Sequence, residues 1–146
     1  MQIETVLAPV DGSETAMDAV EYAVAVAERY EAVVHALYLL GERAAVAIHE
    51  GKVEAAAIAE RGEQVMAGVR AVAAEHDVPV DHSSAAGFSL DRLAQHPGSV
   101  ILDVSEMLDA DFVVVPREPI TGDPEAVIEK AAEYVLAHAS QPVLSV

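Results

Sequence analysis

Two hydrophobic periods alternate along the chain. Ile3 to Val10 is almost continuously apolar, as a strand covered on both faces requires, and predicts the first strand. Glu14 to Tyr30 changes to helical spacing, with Met17, Val20, Val24 and Ala27 on one stripe and Asp18, Glu21 and Glu28 off it. Ala32 to Leu40 returns to the strand pattern and stops at Gly41. Glu42 to His76 is alanine-rich and predicts one long helix, with Ile58, Val65, Val69 and Val72 facing inward. Within it Gly51 and Gly62 each cost about 1 kcal/mol relative to alanine. Val78-Pro79-Val80 opens a third strand that reaches about Ala86. The pattern is lost from Gly87 to Pro97, where Ser89 to Gln95 predicts no more than a short helical turn closed by His96-Pro97-Gly98. Val100 to Leu108 predicts a third main helix with Ile101, Val104 and Leu108 inward, and Asp111 to Val115 a fourth strand. After a loop from Arg117 to Thr121, Asp123-Pro124-Glu125 starts a helix with a capping acid, proline at the first helical position and an acid in the first turn. That helix runs to about Ala139, and Pro142 to Val146 is a fifth strand.

Strands that alternate with helices imply crossover units and a parallel sheet. The fold class is therefore α/β, an open parallel five-stranded sheet with helices on both faces. At 146 residues the chain is a single domain, 1–146. That length buries about 70% of the unfolded chain's surface without staples. There is no cysteine, which excludes disulfides and thiolate chemistry. No apolar run reaches the roughly 20 residues of a membrane span, and the start lacks the basic residues of a signal peptide, so the expected location is the cytoplasm.

The charge balance changes the picture most. Twenty-five acids face eight bases, a formal net charge of -17. Such a surface repels nucleic acid and anionic lipid, and neither is expected as a partner. The acids are spread over every segment. That favours a solvation device for a salt-rich cytoplasm, a halophilic protein of an acidic proteome, over a recognition surface for a basic partner.

The turn out of the first strand, Pro9-Val10-Asp11-Gly12-Ser13, is the place to look for a ligand. Asp11 stands at the strand's carboxyl end, Gly12 permits a tight turn, and Ser13 caps the helix that follows. Asp11 has two readings, a ligand contact and a plain turn residue. The other chemistry is thin. The six histidines share no ligand spacing, so no metal is expected. His35 reads as a packed strand residue and His138 as a cation favouring the end of the last helix. Gly12-Ser13 lacks a nucleophile elbow, and Ser83-Ser84 beside His82 fails as a dyad because strand neighbours point to opposite faces. No catalytic residues are assigned.

With these elements placed, the chain resembles the universal stress proteins over essentially its whole length. Val-Leu-Ala-Pro-Val-Asp-Gly-Ser-Glu resembles their first strand and turn, and Ala-Val-Val-His-Ala-Leu-Tyr their second strand. Pro97-Gly-Ser-Val-Ile-Leu-Asp with Asp109-Ala-Asp-Phe-Val-Val-Val resembles the third helix and fourth strand, and Glu133 to Val146 the final helix and strand. The resemblance implies a Rossmann-like sheet of order 3-2-1-4-5, with a ligand crevice where the order reverses between strands one and four. It implies an adenine side at Pro9, Val10, Asp11 and Val115. It also implies a homodimer through the C-terminal strand, Val143 to Val146.

The family's phosphate motif, G-x2-G-x9-G-[ST] after the fourth strand, is departed from at every position. Without gaps the two spaced glycines fall on Pro116 and Pro119, the third on Glu129 and the hydroxyl residue on Lys130. Proline has no N–H for a phosphate oxygen, and Glu118, Asp123 and Glu125 add like charge. Arg117 and Lys130 are the candidate phosphate contacts that remain. Residues 87–97 depart as well and read as a loop insertion. The expected role is a non-enzymatic stress or regulatory protein with no cofactor and an unidentified regulatory partner. The alternative is a module that binds ATP, AMP or another adenine compound through a rebuilt loop, and weak nucleotide hydrolysis is the remote third.

Overall fold

A computed structural model describes residues 2–40, 50–51, 55–86, 97–117 and 131–146. Strand β1 (Thr5–Val10) leads to helix α1 (Glu14–Tyr30), then β2 (Val33–Leu40), α2 (Ala55–Ala74) and β3 (Val80–Ala86). Helix α3 (Pro97–Met107), β4 (Phe112–Val115), α4 (Ala132–His138) and β5 (Val143–Ser145) complete the order. The strands form one parallel sheet in the order β3-β2-β1-β4-β5.

Strand alternation divides the core into two layers. Val6, Ala8 and Val10 of β1 and Val34, Ala36 and Tyr38 of β2 pack beneath α1 and α2. Leu7, Leu37, Leu39, Val113 and Val115 pack on the opposite face beneath α3 and α4. Helix α1 buries Ala16, Ala19, Val20, Ala23, Val24 and Ala27. Its small residues let the backbone lie close to the sheet, and Met17, expected on that stripe, is only half-buried. At the amino end of the sheet, the Asp111 carboxylate accepts hydrogen bonds from the backbone N–H groups of Glu4 (2.9 Å) and Thr5 (3.1 Å). That pins β1 to the start of β4.

Helix boundaries differ from the sequence reading in three places. The stretch from Glu42 does not run to His76 as a single helix, because Glu50 and Gly51 form a turn and Gly51 has φ of 70°. Glycine supplied the turn there rather than a weak spot inside a helix. In α2 the most buried face is Gly62, Met66, Val69 and Ala73, with Ile58, Val65 and Val72 beside it. The second difference is at α3, which begins at Pro97 rather than Val100. Pro97 and Gly98, read as the close of a loop, are buried in the first turn, where proline's missing N–H costs nothing. Gly98 is required there, since a Cβ would lie 2.6 Å from Cδ1 of Tyr134 on α4. Of the proposed insertion at 87–97, Pro97 instead opens α3, and 87–96 lie outside the described residues. The expected helix-start residues Asp123, Pro124 and Glu125 also lie outside them, whereas α4 as described starts at Ala132, after Ala131.

Candidate functional site

The switch point is where β1 and β4 part. Strand β1 pairs with β2 from Thr5↔Val33 to Val10↔Tyr38, but with β4 only at Val6↔Phe112 and Leu7↔Val113. Beyond those pairs the carboxyl ends of β1 and β4 have no shared ladder.

On the β1 side the turn is built by its own side chains. One Asp11 carboxylate oxygen accepts from the Ser13 N–H at 2.9 Å. The Ser13 hydroxyl then accepts from the Ala16 N–H at 3.2 Å and caps α1 from an extended conformation. Gly12 sits between them at φ 87°. The turn-forming role of Asp11 is thus present in the geometry, and the residue is half-buried rather than sealed. Pro9, Val10 and Val115, expected on the adenine side, are buried core residues, Val10 beneath α1 and Val115 on the opposite face of the sheet.

The β4 side differs in every respect. Pro116 is buried and offers no N–H. The N–H of Arg117 is turned to the carbonyl of Val146, which accepts it at 2.6 Å, and the Val146 N–H donates to the Val115 carbonyl at 2.9 Å. The C-terminal strand therefore straps the β4 exit. The Arg117 side chain is exposed. Lys130, the other candidate phosphate contact, lies outside the described residues with Glu118, Pro119 and Glu129.

The structure adds residues that the sequence reading missed. Tyr38, at the end of β2, is 8% exposed and lies beneath α2, where a Cβ on Gly62 would come within 3.2 Å of its ring. Burial raises the Tyr38 pKa above its ordinary value, the Arg61 cation opposes that, and the Asp11 carboxylate adds to it. Arg61 of α2 and Asp11 thus both lie within electrostatic reach of Tyr38. Between α2 and the β1–α1 turn is a cavity of about 290 Å³, lined by Gly12, Met17, Arg61, Gln64, Val65 and Gly68. The signal for this approach was Gly62 within a helix pattern, together with an inward tyrosine at the end of β2.

His35 was read as packed, and it is 8% exposed in β2. Its Nε2 lies 2.8 Å from the hydroxyl of Ser83 on β3. Ser83 therefore does have a histidine partner, but across the sheet rather than beside it in sequence, a pairing that only the β2–β3 register reveals. Burial lowers the His35 pKa below its ordinary value, Asp81 opposes that shift and His82 adds to it. His138 closes α4 as expected and lies with its ring centroid 4.5 Å from that of Tyr134. Among the described residues, no three histidines or acids gather as a metal site, and no helix is long and apolar enough to cross a membrane.

Comparison with known proteins points one way. A universal stress protein of Methanocaldococcus jannaschii is 26% identical over 144 residues, covering 97% of this chain and 80% of its own. The fold matches a universal stress protein crystallised in complex with cAMP, at TM-score 0.71 and 15% identity, over 100% of this chain and 98% of that one. It also matches the universal stress protein of Archaeoglobus fulgidus in complex with dAMP, at TM-score 0.64 and 19% identity, over 98% and 96% of the two chains. The family model described as "Universal stress protein family" matches residues 2–146, so that the chain, strapped β4 exit included, belongs to the universal stress protein family.

Proposed function

We propose that this chain is a non-enzymatic stress or regulatory protein of the cytoplasm whose crevice does not hold ATP in the family's manner. The observation that carries this is the β4 exit, where Pro116 has no N–H and that of Arg117 is spent on Val146. A triphosphate needs several charged hydrogen bonds, each worth about 1.5–3 kcal/mol, and the first two backbone positions after β4 supply none. Losing them moves a micromolar site past about 1 mM. Calorimetry with ATP and magnesium should show no binding below about 1 mM. A micromolar affinity abolished by Asp11→Ala would overturn the reading.

A second reading is an adenine-compound module. Its support is that the two solved relatives hold cAMP and dAMP, ligands with a single phosphate, and that the β1–α1 turn with Asp11 is intact here. Such a ligand asks far less of the β4 exit than ATP does.

Two further parts of the proposal concern the surface. β5 stands at a sheet edge with Val143, Leu144 and Ser145 half-exposed, and an apolar edge without a lysine guard is normally covered. The cover proposed is the same strand of a second copy, an isologous dimer. The excess of acids is proposed as an adaptation to high salt. The thermal midpoint should then rise from low to multimolar potassium chloride as the Debye length falls toward about 3 Å. A flat or falling curve would favour a basic partner instead.

A further inference from the structure

The rim has four described bases to draw on, and their positions differ. Arg29 closes α1 at the far end of the sheet, and Arg70 pairs with Glu63 on the exposed face of α2. Arg117 is exposed beyond β4 and does not line the cavity beside Gly12. Arg61 lines the cavity beside Gly12, the residue next to Asp11.

That cavity has the make-up of a small anion subsite. A guanidinium offers two parallel donors in the fork that matches a phosphate, and the Gln64 amide, one turn further along α2, adds a third. Met17 and Val65 supply apolar walls. Gly12, at φ 87°, leaves its side of the cavity free of any side chain, and a Cβ there would stand 3.4 Å from Val65. The volume of about 290 Å³ lies at the small end of ligand sites, which suits one phosphate with its sugar and not a polyphosphate. On a chain of net charge -17, one cation is also matched to one phosphate better than to three.

We propose that Arg61, with Gln64, receives the phosphate of an adenine mononucleotide in the cavity between α2 and the β1–α1 turn, in place of the loop after β4. This rests on the adenine-compound reading and deepens it. The phosphate enters on the α2 side of Gly12, and the nucleoside lies over the rim at Asp11. The anion contact has thus moved from backbone donors at one strand exit to a side-chain fork at another.

The test titrates AMP and adenosine into the full-length protein by calorimetry, with Arg61→Gln, Arg61→Lys and Arg117→Gln as variants and thermal midpoints recorded for each. The expected result is that AMP binds more tightly than adenosine. Arg61→Gln should weaken AMP about 10- to 100-fold and leave adenosine within about twofold, the loss of a charge-assisted fork. Arg61→Lys, which keeps the charge without the fork, should fall between. If AMP binds and Arg61→Gln changes nothing, or if Arg117→Gln causes the loss instead, this inference is overturned and the adenine reading stands. If neither AMP nor adenosine binds at millimolar concentration, both are overturned together.

Discussion

Two neighbouring strands of one sheet end at the same rim and do opposite things there. β1 runs out through Asp11, Gly12 and Ser13, whose side chains and positive φ fold the chain directly into α1 and leave room beneath α2. β4 runs out through Pro116 and Arg117, and the first has no donor while the second gives its donor to the C-terminal strand. The difference is one of where backbone N–H groups go. An exit can present its donors to a ligand only if nothing else in the fold has claimed them, and every buried donor must find some acceptor. At β4 the acceptor is Val146, so the strap that completes the sheet is the same bond that occupies the Arg117 N–H.

The most severe way to break this comparison is to delete Val143 to Val146. That removes β5, the partner of the Val113, Val114 and Val115 register and the acceptor for Arg117. Insoluble protein or a destabilised monomer is expected by light scattering. A folded, soluble dimer after the deletion would show that another surface assembles the protein.

Next in size is Gly12→Ala. At φ 87° any side chain is strained, and about 1–2 kcal/mol of stability should be lost at the β1 exit, read from urea unfolding. The matching change at the other exit, Pro116→Gly, sharpens the contrast. It restores an N–H but not the one held by Val146, so ATP affinity should stay beyond about 1 mM while stability falls by up to about 1 kcal/mol through the freer unfolded chain. Micromolar ATP binding by that variant would mean that proline alone had closed the site.

The smallest expected effect lies away from both exits and serves as their control. His35 is buried, and its folded pKa is lowered below 6.5. A base whose folded pKa is depressed contributes stability that is whole above the unfolded value and is lost as pH falls through 6.5 toward the folded value. Asp81 opposes the shift, which keeps the effect modest. Between pH 8 and 5, the unfolding free energy of His35→Gln should fall less steeply than that of the wild type. Parallel slopes would mean that the His35–Ser83 contact is no such titrating link.

Much of this was legible before any coordinates. The period of the apolar residues located all five strands to within two residues and α1 to its ends, because a buried parallel strand and an amphipathic helix write different spacings into the chain. The Asp11-Gly12-Ser13 turn was legible for a local reason, since a carboxylate, a glycine and a hydroxyl within three residues can satisfy one another. The misread boundaries also share a cause. Gly51 looked like a flaw in a helix and Gly98 like the end of a loop, because glycine's meaning depends on the space around it, and Tyr134 is 36 residues away from Gly98 in sequence.

What the sequence determined alone was therefore the element order, the parallel α/β class and the chemistry of the β1 turn, all of which rest on contacts within a few residues. What only the tertiary structure decided was which distant groups meet. Arg61 reaches the cavity beside Gly12 because Gly62 lets α2 lie on Tyr38. His35 finds Ser83 because β2 and β3 share a register, and Arg117 loses its donor because β5 returns beside β4. No local pattern encodes these meetings. Each is fixed by the packing of elements separated by tens of residues.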